Sequence, residues 1–220
     1  MIPIQDVIPT RLVPVATYAL LVVNIIGYLT PLGTGRADLP LGPSGGLTLP
    51  GFIEAARSTF LHSTLLPFAV DLISLWLFGG TVEDQLGRLR FVALYVVCGT
   101  TAVLAAQTLH PAWPAASLGG SLAIAAVMGA YLVLFPNGKV LMLIPVPMAV
   151  HELPVVVLFT IWCAAQFLAL ALMLAPAGAP DAAAGAALVA YVLAFAMGTA
   201  LCLMLRRKER ARVEWWDPRD

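Results

Sequence analysis

The residue of this chain best suited to chemistry is a serine that follows two glycines at the start of a long apolar run. Ser121 lies in the segment SLGGSLAIAAVMGAY. A serine hydroxyl presented at a helix start acts as a nucleophile when a neighbouring base removes its proton. The competing interpretation is structural, because Ser121, Ala125 and Gly129 recur every four residues and so form one smooth helix face. Such a face lets another helix pack closely.

Asp71 is the second residue with chemical potential, because it interrupts a strongly apolar segment. An ionisable side chain within an apolar span is costly and is a functional candidate by default. Asp71 is interpreted either as a base for Ser121 or as a structural carboxylic acid hydrogen-bonded to a neighbouring span. At about 1.5 Å per helical residue, Asp71 and Ser121 reach similar depths, whereas His62 reaches the outer end of its span. His62 is therefore predicted to be a loop residue, with the role of substitute base as the alternative.

The composition places the whole chain in a membrane. Of its 220 residues, 60% are hydrophobic and 11% are charged, and the mean hydropathy is +0.92. Soluble domains carry about a quarter charged residues. The three cysteines lie far apart in apolar runs and include no CxxC pair, so no metal site is predicted. No cofactor and no nucleic-acid partner are expected either.

The apolar runs predict an all-α integral membrane protein with a single domain over residues 1–220. Six spans are predicted, at residues 13–29, 61–79, 91–109, 121–135, 153–175 and 183–205. A long loop rich in glycine and proline follows the first span. Its segment 51–60 has the mixed face of a helix that lies on the membrane surface.

Basic residues are distributed unevenly about these spans. Of the 12 lysines and arginines, all but Arg36 and Arg57 fall on the side of the two termini. The positive-inside rule therefore predicts cytoplasmic termini, an external first loop and a basic cytoplasmic tail at residues 206–220. The predicted location is the inner membrane of a bacterium.

Four segments, in order along the chain, resemble characteristic segments of the rhomboid family of six-span intramembrane serine proteases. The first two are FLHSTLLPFAVDLISLWLFGG, which is similar to the family's second span, and TVEDQLGRLRF, similar to the VE-x-x-LG link after it. The others are GGSLAIAAVMGAY, similar to the G-x-S-G-A helix of the nucleophile, and AYVLAFAMGTA, similar to the last span with its A-H-x-x-G. The resemblance implies a rhomboid-like bundle in which Ser121 occupies the nucleophile position.

The polar partners that this resemblance implies for Ser121 have changed type. The last-span histidine, which serves the family as base, falls at Phe195. The H-x-x-x-N of the second span, which helps to bind the oxyanion, falls at Pro67 and Asp71, and the glycine after the serine falls at Leu122. Leu122 and Phe195 are predicted to fill the site with apolar bulk, and Pro67 is predicted to kink the second span.

These changes predict a proteolytically inactive, rhomboid-like protein. In rhomboids the fold itself recognises a transmembrane segment, so a member without chemistry can bind or scaffold another integral membrane protein, or serve as a subunit of a larger membrane complex. The alternative is an active rhomboid-type serine endopeptidase that uses Ser121 with a non-standard base. A transporter or channel is disfavoured, because the spans hold almost no ionisable residue beyond Asp71. The predicted partners are the lipid bilayer and that second membrane protein.

Overall fold

Over the residues that it describes, the computed structural model is a helical bundle with a small three-stranded sheet. It describes residues 2–6, 8, 13–34, 48–62, 65–109, 119–144, 149–162, 164 and 182–205. The helices are α1 (Val15–Thr34), α2 (Leu49–Ser58), α3 (Leu65–Leu86), α4 (Arg88–Leu109), α5 (Gly119–Leu134), α6 (residues 155–162) and α7 (Ala182–Leu205). The strands are β1 (Ile2–Asp6), β2 (Lys139–Ile144) and β3 (Ala149–Pro154).

The helices agree in kind with the predicted membrane class. Among the described residues, Arg88–Leu109 and Gly185–Leu205 are each long and apolar enough to cross a membrane, and α1 and α5 contain shorter apolar helices. The six-span count and the external first loop stay predictions. Much of the fifth predicted span, from residue 165 onward, and the tail at residues 206–220 lie outside the described residues.

The sheet was not predicted. Strand β2 pairs antiparallel with both β1 and β3, so the order is β1-β2-β3. Strands β2 and β3 form a hairpin whose first strand follows the Pro-Asn-Gly turn at the end of α5. Val140 and Met142 of β2 are buried in the main core. The helix of the fifth predicted span therefore begins at residue 155 and not at 153, because Leu153 and Pro154 belong to β3.

Helix α5 is the centre of the bundle, and all its residues from Gly119 to Tyr131 are buried. It packs against α3, α4 and α7. A side chain at Gly129 would overlap the carbonyl oxygen of Phe195, and one at Gly198 would overlap that of Ala126. Glycine at these two positions therefore lets α5 and α7 approach backbone to backbone.

Hydrogen bonds to two buried carboxylates connect the first helix and the first strand to this bundle. The Glu83 carboxylate accepts hydrogen bonds from the backbone N–H groups of Ala16 at 3.0 Å and Thr17 at 2.7 Å. It thus satisfies donors that the first turn of α1 leaves free, where the helix dipole favours a negative charge. Asp6 of β1 accepts from the hydroxyls of Thr81 at 2.7 Å and Tyr131 at 2.8 Å. These bonds fix the elements around α5.

Candidate functional site

The segment that follows α2, residues 59–62, enters the bundle instead of passing over it. Residues 59–62 are not helical, and α3 begins only at Leu65. A side chain at Gly119 would overlap the carbonyl oxygen of Ser58, and one at Gly120 would overlap the His62 imidazole. The glycine pair that precedes the candidate nucleophile therefore provides the space in which this segment lies.

His62 consequently does not occupy the outer position that the depth estimate predicts. It is buried, with 6% of its surface exposed, and its Nε2 atom lies 3.3 Å from Oδ2 of Asp71. Its ring also packs edge-on against Phe68, with 5.2 Å between ring centroids. The estimate was wrong because it counted a helical rise from residue 62, whereas residues 61 and 62 are not helical.

Asp71 and Ser121 meet at the contact between α3 and α5. The Ser121 hydroxyl donates a hydrogen bond to Oδ2 of Asp71. Both residues are buried, with exposed fractions of 4% for Ser121 and 9% for Asp71. The two residues predicted at similar depth are thus in direct contact. In this arrangement the serine donates and the acid accepts, which is the direction that a base for Ser121 requires.

Tyr191 of α7 completes the polar cluster, and sequence reasoning did not identify it. Its hydroxyl lies within hydrogen-bonding reach of Ser121 and close to the Asp71 carboxylate. Tyr191 precedes Phe195 by four residues, so the two share one face of α7. A search one helical turn either side of the Phe195 position could have found it.

The cluster of His62, Asp71, Ser121 and Tyr191 has one unsatisfied member. Both ring nitrogens of His62 lack a hydrogen-bond partner within the described part of the chain, although the His62 side chain is only 2% exposed. The same part of the chain contains no group of three or more His, Cys, Asp or Glu residues that could hold a metal ion. The arrangement therefore consists of one carboxylate that lies between a hydroxyl and an imidazole.

Two comparisons with known proteins bear on this site. The family model for the Rhomboid domain matches residues 51–208, which is well over half of the chain. The chain belongs to the rhomboid family. A stretch of 100 residues is 33% identical to Rhomboid protein 1, mitochondrial, of Saccharomyces cerevisiae, and it covers 43% of this chain and 29% of that relative. The chain therefore spans less than a third of the yeast rhomboid that it matches, and it is an integral membrane protein as its family is.

Phe195 stands where the resemblance places the rhomboid histidine. Its ring packs edge-on against Phe159 of α6, with 6.4 Å between ring centroids. Leu122, at the position of the glycine after the serine, is 1% exposed within an alanine-rich cluster formed by α2, α4, α5 and α7. These two side chains are apolar where the rhomboid resemblance implies an imidazole and a glycine.

Pro67 does not kink the second span. It is the third residue of α3 and is exposed. A proline in the first turn of a helix replaces an N–H group that has no partner within the helix. The prediction of a kink at this position of the rhomboid bundle was therefore wrong, because the helix begins later than the apolar run does.

Proposed function

We propose that this rhomboid-family protein is proteolytically inactive and acts by binding another integral membrane protein, as a scaffold or as a subunit of a larger membrane complex. The observation that carries the proposal is the Phe195 ring, packed against Phe159 at the position of the family histidine. An aromatic hydrocarbon ring accepts no proton from a serine and returns none to a leaving group.

Peptide cleavage makes two demands on a serine site. A base removes the serine proton, and an acid delivers a proton to the amine that leaves. The resemblance assigns both tasks to the last-span histidine. In this chain the carboxylate that contacts Ser121 comes from α3, and the α7 position carries Phe195. Asp71 can therefore take the place of the histidine as the base, whereas the histidine that would act as the acid is replaced by Phe195.

Binding is supported by what the chain retains. The rhomboid match extends over residues 51–208, and α5 remains packed between α3, α4 and α7. Recognition of a transmembrane segment by the fold itself, as the resemblance implies, needs this bundle and does not need the histidine. A member without peptide chemistry can therefore retain a partner.

The proposed orientation has both termini in the cytoplasm and the loop between α1 and α2 outside. It is supported by the basic residues, of which only Arg36 and Arg57 fall on the outer side. Single cysteines placed at Gly45 and Ala211 test it with a membrane-impermeant thiol reagent on intact cells. Labelling is expected at position 45 and not at position 211. The reverse pattern would invert the topology.

A second candidate function is an active intramembrane serine endopeptidase with Asp71 as its base. It is favoured by one observation, the direct hydrogen bond from Ser121 to Asp71 with His62 against the same carboxylate oxygen. In this mechanism Asp71 would have to accept the serine proton and also deliver it to the leaving amine.

One experiment separates the two candidates. Purified protein is reconstituted into liposomes with a model transmembrane substrate, and Ser121→Ala serves as the control. The proposed function predicts no cleavage that depends on Ser121. It also predicts a membrane protein that co-purifies in equal yield with the wild type and with Ser121→Ala. Cleavage that disappears in Ser121→Ala would overturn the proposal, and its further loss in Asp71→Asn would establish the second candidate.

A further inference from the structure

The Ser121 hydroxyl is not an ordinary buried serine. Other serines of this bundle bond within their own helix: the buried Ser58 hydroxyl donates to the carbonyl of Ala55 at 2.7 Å, and the Ser74 hydroxyl donates to the carbonyl of Val70 at 2.8 Å. Ser121 instead donates across a helix contact to a carboxylate, and Tyr191 approaches it from a third helix. A hydroxyl held against a carboxylate is oriented for proton loss before any substrate arrives.

We infer that Ser121 is acylated by small acyl donors whose leaving group needs no protonation, with Asp71 as the general base. Thioesters and aryl esters are the class that fits. The thiolate or phenolate of such a donor leaves as an anion, whereas the amine of a peptide leaves only when an acid protonates it. The reaction goes beyond the proposed function, since a protein can lack peptide cleavage and still accept an acyl group on this serine.

The step balances within the residues present. The Oγ–H proton of Ser121 moves to Oδ2 of Asp71 as Oγ forms a bond to the acyl carbon. The carbon–sulfur or carbon–oxygen bond of the donor then breaks, and the electron pair leaves with the thiolate or phenolate. Asp71, now a neutral acid, passes its proton to that anion. The products are an acyl-serine, a thiol or phenol and the original carboxylate, so no other reactant is consumed.

Asp71 changes charge during the reaction, and this change explains how a carboxylate can lie close to a developing oxyanion. The resemblance places Asp71 where the family helps to bind an oxyanion, and a carboxylate there repels developing negative charge. As a base, Asp71 becomes neutral at the moment at which the oxyanion forms, and a neutral carboxylic acid can donate a hydrogen bond. The same residue therefore takes the proton and ceases to oppose the transition state.

Burial sets the size of the donor and the fate of the product. Ser121 is 4% exposed and Asp71 is 9% exposed, so we expect small acyl donors to react faster than long ones. The same burial restricts the water that would hydrolyse the ester. The acyl-serine accordingly accumulates as one adduct per chain, and turnover is slow.

His62 is a positioning residue in this reaction, since it touches Asp71 and not the acyl donor. Its Nε2 atom lies 3.3 Å from Oδ2, and the buried ring thereby confines the carboxylate to the side of Ser121. Replacement by a polar side chain that can lie against the same carboxylate should preserve this function. The expected result is slower acylation in His62→Leu and recovery of most of the rate in His62→Gln, with the final extent of labelling equal in both.

The deciding experiment treats the 220-residue chain in detergent with 4-nitrophenyl acetate and follows the adduct by intact mass and peptide mapping. One acetyl group is expected on Ser121 in the wild type and none in Ser121→Ala. Ser74→Ala, which removes a serine of α3 outside the cluster, should label as the wild type does. Asp71→Asn keeps an oxygen that accepts from Ser121 but is no base, and its labelling should be slower by at least about 100-fold.

The wild type alone provides a second measurement that does not depend on the folding of any variant. Acetylation of Ser121 in the native protein should be at least about 100-fold faster than in the same chain denatured in dodecyl sulfate. Equal rates in the two states, no adduct, or an Asp71→Asn variant as fast as the wild type would each overturn the inference. Cleavage of a transmembrane substrate would overturn the proposed function instead, so the two failures are distinguishable.

Discussion

Helix α5 meets its neighbours through two contacts of opposite character. Towards α3 the contact is polar, since Ser121 hydrogen-bonds Asp71, with the imidazole of His62 beside the carboxylate. Towards α7 it is made mainly by small residues, since Gly129 and Gly198 each lie against a backbone carbonyl of the opposite helix. One helix thus presents a chemical surface on one side and a packing surface on the other.

The difference shows where the polar partner of the serine now comes from. The resemblance to rhomboids implies a histidine from α7, at the position of Phe195. In this protein the hydrogen-bond acceptor for the serine hydroxyl comes from α3, and the imidazole comes from the segment before it. Tyr191 is the polar group that α7 still contributes. The apolar residue at the histidine position therefore does not leave Ser121 in an apolar surrounding.

The largest expected effect comes from restoring the rhomboid side chains around Ser121, including a histidine on α7. The combined variant Pro67→His, Asp71→Asn, Leu122→Gly and Phe195→His restores every family position at the site. We expect cleavage of a model transmembrane substrate about 10²–10⁴-fold above the wild type, the range that a general base typically contributes. The same four changes with Ser121→Ala provide the control. A folded but inactive combined variant would mean that the bundle has lost more than these side chains.

The packing surface is tested next, by two alanine substitutions on the same helix. A methyl group at Gly198 meets the backbone of Ala126, which has no flexible end to move aside, whereas nothing lies within 4 Å of a methyl group at Gly185. Gly198→Ala should lower the free energy of unfolding by about 2–3 kcal/mol, as overpacking does. Gly185→Ala should leave it unchanged or raise it by up to about 1 kcal/mol, because alanine favours helix.

Unfolding in detergent, followed by circular dichroism, measures both alanine variants. Equal losses of unfolding free energy in the two variants would show that a methyl group at Gly198 is tolerated as well as one at Gly185. The close approach of α5 and α7 would then not be a stabilising contact. An unchanged Gly198→Ala would have the same consequence for the backbone-to-backbone approach of α5 and α7.

The polar surface should contribute less to stability than the close packing does. Asp71→Leu removes the acceptor for Ser121 and should cost about 1–2 kcal/mol, the range for interhelical hydrogen bonds in membranes. Asp71→Asn should cost clearly less, because its amide oxygen still accepts from the serine. The same unfolding assay compares them. If the two variants were equally destabilised, the hydrogen bond would not be what Asp71 contributes.

The smallest effect is expected at a side-chain hydrogen bond that lies among the small residues of the contact between α5 and α7. The Thr199 hydroxyl donates to the carbonyl of Gly129 at 3.1 Å, across the contact between α5 and α7. Thr199→Val should cost about 0.6 kcal/mol, the average for such bonds in a membrane bundle. Thr101→Val is the matched control, since the Thr101 hydroxyl bonds within its own helix. A loss as large in Thr101→Val would assign the effect to the substitution itself.

Much of the fold and part of the site follow from patterns that are local in the chain. Apolar runs locate α1, α4, α5 and α7 within a few residues, and the helix near residues 51–60 is found at Leu49–Ser58. The small-residue spacing around Ser121 also locates Gly129, which lies against α7. The sheet was not predicted, because β2 is a short apolar run that hydrophobic periodicity does not distinguish from a helix end, and β1 and β3 are short segments of mixed polarity.

The amino-acid sequence by itself determined the membrane class, the family, the serine at the nucleophile position and the apolar residue at the histidine position. These properties depend on composition and on the order of motifs. Only the tertiary structure decided what surrounds Ser121, because His62 and Tyr191 reach it through contacts between distant segments. His62 enters over a glycine of another helix, and no rise per residue predicts such a path. The chemistry of a buried serine is fixed by what packs against it, and that is a property of the folded bundle.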